Sequence, residues 1–352
     1  MAQWDKLHSE RVTHVKDTCK KYNLASTIGP KGLTLIYSQS NSLAYMSIPK
    51  IGSTFLKQMF MVLRQGAEHA EHIYSIMRKN VHIQTGGVYK KLDAKTLDNV
   101  LVLLPTRHPY TRLFSAFIDK VYLPNGRSLA AVVERTGDHR SACGTNAKFE
   151  DFLRYALSNK TGKILGDHYN SPYKSLSNVV CKLDNFMLVK QETLSTDVEY
   201  ALRKVGVNQT EFNTIYSMMH ERRIDATIPG IIQTIYSNGR SFLKACLPPA
   251  KFAYVIWKSF QIQGFLHNDI EFPEHEFTNN DALYSDPKYV TKMVLKYIAK
   301  KPLTSSESRV QRREALLDAY KTVSPQLMTQ IHETYAMDFE IFQYDKDINS
   351  LT

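Results

Sequence analysis

A chain of 352 residues, 43% hydrophobic and 22% charged, is long enough to bury a substantial core in one or two domains. Its 45 Lys and Arg outnumber 34 Asp and Glu, and the formal charge of +11 biases its partners toward anions. No apolar run is long enough to span a bilayer or act as a signal peptide, and the polar opening MAQWDKLHSERVTHVKDTCKKYNL predicts a soluble chain as written.

In chain order, Trp4, Leu7, Val12 and Val15 make an apolar stripe that predicts a helix through about Tyr22, within a helical stem segment over 1–30. Leu33 to Tyr37 reads as a strand. Leu43 to Ile48 reads as a second, buried one that Pro49 ends by removing a backbone donor. From Ser53 onward Phe55, Leu56, Met59, Phe60 and Leu63 recur at helical spacing, with Ser53 or Thr54 placed to cap the first turn. Gly66 to Asn99 is polar and irregular, with a turn at Gly86-Gly87 and with His69, His72 and His82. Leu101 to Leu104 is another buried strand. It runs into Pro105-Thr106-Arg107-His108-Pro109, and Arg112, Leu113, Phe114, Phe117, Ile118 and Val121 then describe an amphipathic helix. Phe149 to Leu157 is helical, Asn185 to Val189 is a further apolar strand followed by a helix to about Val205, and the rest is mostly helix broken at Pro248-Pro249, Pro273 and Pro302. Strands alternating with helices predict an α/β fold: a single domain over 31–352 with a central parallel sheet, a P-loop-like strand-loop-helix, a helix-rich C-terminal part, and a ligand at the carboxyl ends of the strands.

Two strand ends carry the chemistry. Lys50, Ile51, Gly52, Ser53 and Thr54 would aim backbone N–H groups, a helix N-terminus, two hydroxyls and an ammonium at one point, which suits a phosphate dianion. The order differs from the nucleotide loop G-x-x-x-x-G-K-[ST], because Lys50 precedes the single glycine, and a P-loop NTPase is disfavoured. At the other strand end an always-charged Arg107, with Ser115 two helical turns on, would hold a second phosphate; read in isolation, Arg107 is a strand-end residue and Ser115 a neutral helix residue.

Cys19, Cys143, Cys181 and Cys246 show no C-x-x-C spacing, which excludes the common zinc patterns and leaves free thiols or up to two disulfides. The sequons at Asn159 and Asn208 are about what chance supplies. Basic doublets (Lys90-Lys91, Arg222-Arg223, Lys300-Lys301, Arg312-Arg313) are scattered, and with no zinc finger, basic-region helix or aromatic RNA-binding signature, nucleic acid is not an expected partner.

The pair IPKIGSTFLK and TRHPYTRLFSAFIDKVY resembles the 5′-phosphosulfate and 3′-phosphate motifs of Golgi carbohydrate sulfotransferases, the family of chondroitin and dermatan 4-O-sulfotransferases and the natural-killer-epitope glucuronyl 3-O-sulfotransferase. VKDTCKKY, the run from Gly166 to Val207 and the ending YAMDFEIFQY are also similar to that family, so the resemblance covers nearly the whole chain. It implies transfer of sulfate from 3′-phosphoadenosine 5′-phosphosulfate (PAPS) to a glycan hydroxyl, without a metal, in the Golgi lumen. Lys50, Gly52, Ser53, Thr54 and Lys57 match the 5′ motif, and Arg107 and Ser115 the 3′ motif. Phe55-Leu56 stands where the family has Asn-Trp, Ser53 where it has Cys, His108 where it has an acidic residue, and Asn178 where it has a further Cys. The family's N-terminal membrane anchor has no counterpart in the residues given.

In-line attack of a sugar hydroxyl on sulfur needs positive charge on the leaving phosphate, which Lys50 would supply, and a base near the acceptor. His82, lying between the two motifs where related sulfotransferases place a base, is the expected one; His168, in a family-like Gly166-Asp167-His168-Tyr169, is the alternative, with an acceptor-binding or orienting role otherwise. Two other classes stay open: another nucleotide-dependent transferase, which would normally carry a magnesium-binding acidic motif, and a catalytically silent module that binds acidic glycans.

Overall fold

The computed structural model describes residues 2–24, 33–76, 80–82, 89–123, 127–134, 146–158, 165–176, 179–221, 224–277 and 285–351. The Gly86-Gly87 turn, the Asn159 sequon, Cys143, Asn178 and Arg222-Arg223 lie outside them. The chain folds into two compact units, one made of Met1–Arg112, Asn170–Arg222 and Tyr335–Lys346, the other of Leu113–Tyr169, Arg223–Thr334 and Asp347–Thr352.

The first unit holds a five-stranded sheet in the order β3-β1-β2-β4-β5, with β1 Leu33–Ser38, β2 Leu43–Tyr45, β3 Tyr89–Leu92, β4 Leu101–Thr106 and β5 Phe186–Lys190. The expected parallel sheet is β2-β4-β5, and β1 and β3 extend it in antiparallel fashion. β4 is buried along its whole length and β5 nearly so, which explains their unbroken apolar runs. β3 reads Tyr-Lys-Lys-Leu and sits on the edge, where exposed lysines discourage further pairing, so its polarity concealed it in an expected irregular stretch.

β4 extends two residues past its expected end and includes Pro105. The Met46 amide bonds the Leu103 carbonyl, so odd-numbered residues of β4 face β2, and β2 ends at Tyr45, opposite Leu103. The missing N–H of Pro105 therefore points where no partner strand remains. β2 is correspondingly shorter than its expected run to Ile48.

Helix α1, Ala2–Lys21, contributes the segment read as a stem, and it packs on β5 in this first unit. Arg11 reaches the fully buried Asp197 with both contacts near 3 Å, and Asp197 also accepts from the Thr193 hydroxyl and the Lys190 amide. A Cys19–Cys181 disulfide ties the end of α1 to the turn before β5, and Cys246 is disulfide-bonded as well. His8, 4% exposed and stacked on Tyr200, is held down to about 4 by burial and by the Arg11 charge.

The second unit is helical. Ile224–Cys246, Pro249–Ile262 and Pro287–Lys300 bury Ile228, Ile232, Phe252, Trp257, Phe260, Val290 and Val294 in one cluster. Among the described residues no helix is long and apolar enough to cross a membrane.

Removing Arg11 strands a buried carboxylate. Arg11→Ala is expected to lower the unfolding free energy by about 3–5 kcal/mol in urea titrations, and a loss below about 1 kcal/mol would contradict the pairing. Because unfolded His8 takes up a proton near pH 6.5 and folded His8 only near 4, stability is expected to fall as pH drops through that window. The decline should be shallower in His8→Phe; an identical slope would contradict the assignment.

Candidate functional site

The register of the sheet brings three loops to one edge. β4 and β5 end together, Thr106 opposite Lys190, while β2 runs parallel beside them, so the segments after Tyr45, Thr106 and Lys190 leave from the same side. Direct contact confirms the meeting: a Cβ on Gly52 would lie 2.8 Å from Leu194 Cδ2 and 2.9 Å from Gln191 Oε1.

Between β2 and helix α2, Ser53–Gln65, the backbone turns left-handed twice, at Lys50 (φ 68°) and Gly52 (φ 60°). Ile51 between them is fully buried and anchors the loop in the core. A non-glycine residue in that region costs roughly 1–2 kcal/mol, and two arginines offset it. Arg107 Nη1 donates to the Lys50 carbonyl at 2.9 Å, and Arg112 Nε donates to the Pro49 carbonyl at 3.3 Å. Hydrogen bonds from charged donors contribute about 1.5–3 kcal/mol each, so the strained loop is held. In a trans peptide the N–H points opposite its C=O, so fixing these two carbonyls toward the guanidiniums turns the amides of Lys50 and Ile51 the other way.

Helix α2 then starts without a side-chain cap. The expectation that Ser53 or Thr54 caps it is corrected: Gly52 is the N-cap, both residues are already helical, and Leu56 N–H to Gly52 O makes the first helical bond. The first amides of α2 have no intrahelical partner, and their hydroxyl neighbours do not fill them. Glycine is required here twice over, by its φ and by the Gln191 and Leu194 side chains facing it.

One turn into α2, Lys57 is only 5% exposed and its ammonium lies 2.9 Å from His82 Nδ1; Thr54 Oγ1 is 3.4 Å from Nε2 of the same ring. Thr54 and Lys57, three residues apart, share a helix face, and His82 lies against both. An ammonium only donates, so Nδ1 accepts and the neutral ring carries its proton on Nε2.

The 3′-motif strand end is braced from beneath. Arg107 Nε donates to Thr111 Oγ1 at 3.0 Å. The His108 amide donates to Glu192 Oε1 at 2.9 Å, and Glu192 Oε2 accepts from the Tyr344 hydroxyl, which also meets Thr106 Oγ1. His108 is buried, its Nε2 donating to the Asp345 carbonyl while Nδ1 accepts from the Tyr110 amide, and burial holds it below the usual histidine range. Arg112, 1% exposed, also donates to the Asn170 carbonyl, and Asp338, raised to about 6 by burial, accepts from Ser171 Oγ and the Tyr173 amide. Lys190 donates to the Gln343 carbonyl and sits 4.6 Å from the Tyr344 ring, with burial bringing its ammonium down to about 8.

Lys50, Ile51, Gly52, Ser53, Thr54, Lys57, His82 and Arg107 thus all belong to the first unit, and contacts link Lys50 to Arg107 and Thr54 and Lys57 to His82. Ser115, half-buried on helix α3 (Pro109–Phe117), and His168, in the turn Gly166–His168 with Nε2 4.0 Å from Asp167, belong to the second. Arg112, Gln191, Glu192 and Tyr344 escaped sequence reasoning. Nothing in the local pattern sets Arg112 apart from a surface helix residue, and the other three gain meaning only from the strand pairing.

The model of the Sulfotransferase family matches residues 33–250. Carbohydrate sulfotransferase 8 of Mus musculus is 25% identical over 226 residues, covering 58% of this chain and 52% of its own length. Carbohydrate sulfotransferase 11 of Danio rerio is 27% identical over 221 residues (57% and 62%), and carbohydrate sulfotransferase 10 of Xenopus laevis 26% over 225 (57% and 62%). The matched region spans about half to three-fifths of these relatives. No solved structure matches.

Nitrogen-resolved NMR of His82 checks the tautomer. In the neutral ring of the wild type Nδ1 is expected to be the unprotonated nitrogen, with the two tautomers mixing in Lys57→Met; a protonated Nδ1 in the neutral wild-type ring would contradict the geometry.

Proposed function

The chain belongs to the sulfotransferase family, and on that premise we propose that it moves sulfate from PAPS to a hydroxyl of an acidic or neutral glycan, a glycosaminoglycan or related glycoconjugate. The observation that carries the reading is the braced loop: two left-handed residues, an uncapped helix N-terminus and a lysine at the carboxyl ends of parallel strands, beside a histidine. Oxygen atoms of a phosphosulfate suit that loop, because the first amides of α2 are unspent within the helix.

The donor supplies an activated sulfuryl group attached to a phosphate leaving group. Lys50 and the amides of Ile51 to Thr54 would hold the phosphate end and neutralise the charge that grows on the leaving oxygen. Lys57, matched to the same motif, reaches that region through His82. Arg107 orients the loop and anchors the 3′-phosphate. As the base, His82 takes the proton of the acceptor hydroxyl on Nδ1, the one acceptor nitrogen of its neutral ring, which requires the Lys57 ammonium to move off that atom. The chain's net charge of +11 favours acidic acceptors. Golgi-lumenal action agrees with the Cys19–Cys181 disulfide, which an oxidising compartment permits.

Incubating the full chain with labelled PAPS and a panel of chondroitin, dermatan, heparan and simpler glycans tests the reading. Label on at least one glycan is expected. Binding without transfer would instead indicate a silent glycan-binding module. Arg107→Ala is expected to weaken binding of adenosine 3′,5′-bisphosphate by about 2–4 kcal/mol in calorimetry, whereas Lys50→Ala should mainly lower turnover. His82→Ala should leave bisphosphate affinity near wild type and cut turnover by roughly 10²-fold or more. Normal turnover in His82→Ala with a large loss in His168→Ala would move the base to His168.

A further inference from the structure

The helix Pro287–Lys300 of the second unit carries Lys288, Lys292, Lys296 and Lys300, each four residues after the last. That spacing puts all four on one face. All are exposed, while Val290, Val294 and Ile298, offset by two residues, are buried in the helical core. The burial fixes the helix's rotation, so the lysine face is committed to solvent. From 287 to 302 there are five lysines and no acidic residue.

A solvated face does not require this pattern. Elsewhere the protein uses the same spacing for opposite charges, in Lys6–Glu10, Glu150–Arg154 and Glu199–Arg203. Like charges at that spacing destabilise a helix, and here three successive pairs do so. Among the described residues, Lys296 alone of the four meets a carboxylate, Glu276 at 3.4 Å, and Lys300 rests 4.3 Å from the Tyr297 ring. Rungs are about 6 Å apart along the axis and span about 18 Å. Neighbouring rungs lie within a Debye length at physiological salt, so they act on an anion together.

We propose that this lysine ladder is a docking surface for a linear, sulfated or carboxylated polysaccharide, lying along the helix with successive acidic sugars against successive lysines. The proposal rests on the glycan reading above for its choice of polyanion. A single file of charges matches a chain better than a plane, and the apolar face of the helix is consumed by the core, which leaves none to enter a membrane interface.

The test compares wild type, a ladder variant (Lys288→Gln, Lys292→Gln, Lys296→Gln, Lys300→Gln) and a control with the same charge change at dispersed exposed sites (Lys6→Gln, Lys20→Gln, Lys182→Gln, Lys251→Gln). Each full chain is titrated with chondroitin sulfate across a salt series, and with phosphatidylserine vesicles. The ladder variant is expected to lose on the order of tenfold or more in polysaccharide affinity at physiological salt, with a shallower salt dependence, while the control loses much less and both keep wild-type circular dichroism and bisphosphate affinity. Unchanged polysaccharide affinity in the ladder variant, an equal loss in the control, or a loss confined to vesicles overturns the proposal. Binding is read without turnover, so failure of sulfate transfer would sink the catalytic reading and leave this result standing.

Discussion

Arg107 and Arg112 hold the carbonyls of Lys50 and Pro49, and the candidate site depends on that grip. The loop after β2 is left-handed at a lysine, a conformation that isolated backbone energetics disfavour by roughly 1–2 kcal/mol. Once both carbonyls are tied to guanidiniums, the amides of Lys50 and Ile51 face away from the arginines, and the loop leads directly into the uncapped start of α2. A strained turn fixed in this way is preorganised for an anion, since its dipoles need no rearrangement when the anion arrives.

The supports of the two arginines reach far along the chain. Arg112 is held by the Asn170 carbonyl, and the segment after it is pinned by Asp338 through Ser171 and Tyr173. Glu192, at the end of β5, links the His108 amide to Tyr344. The C-terminal segment Tyr335–Lys346 therefore works as a clamp on the strand ends of the first unit, which gives a physical reason for the ending YAMDFEIFQY to accompany the two phosphate-type motifs. α1 plays a comparable part beside that clamp, tied to β5 and the helix after it through Arg11–Asp197 and the disulfide and to the C-terminal segment through His14 and the Glu340 carbonyl.

Much of this frame was legible because buried parallel strands must be apolar throughout. Leu101 to Leu104 and Asn185 to Val189 could be read for that reason, and α2 for its helical apolar spacing. β3 was hidden by its edge position, where lysines replace the apolar signal. The cap at Gly52 is hidden because Ser53 and Thr54 have the residue types of a cap, while the loop's backbone hand is held by Arg107 and Arg112 and the space beside Gly52 is taken by Gln191 and Leu194, all far away in sequence. Lys57 illustrates the same limit. Motif matching places it toward a phosphate, whereas the fold sets it on His82, a partner supplied by a polar stretch with no periodicity of its own.

The most direct measurement is amide hydrogen exchange on the full chain, with and without saturating adenosine 3′,5′-bisphosphate. New protection is expected to concentrate at Lys50 to Phe55, where the braced loop enters α2. Protection spread evenly over the sheet, or absent from that loop while the ligand is bound, would contradict this expectation.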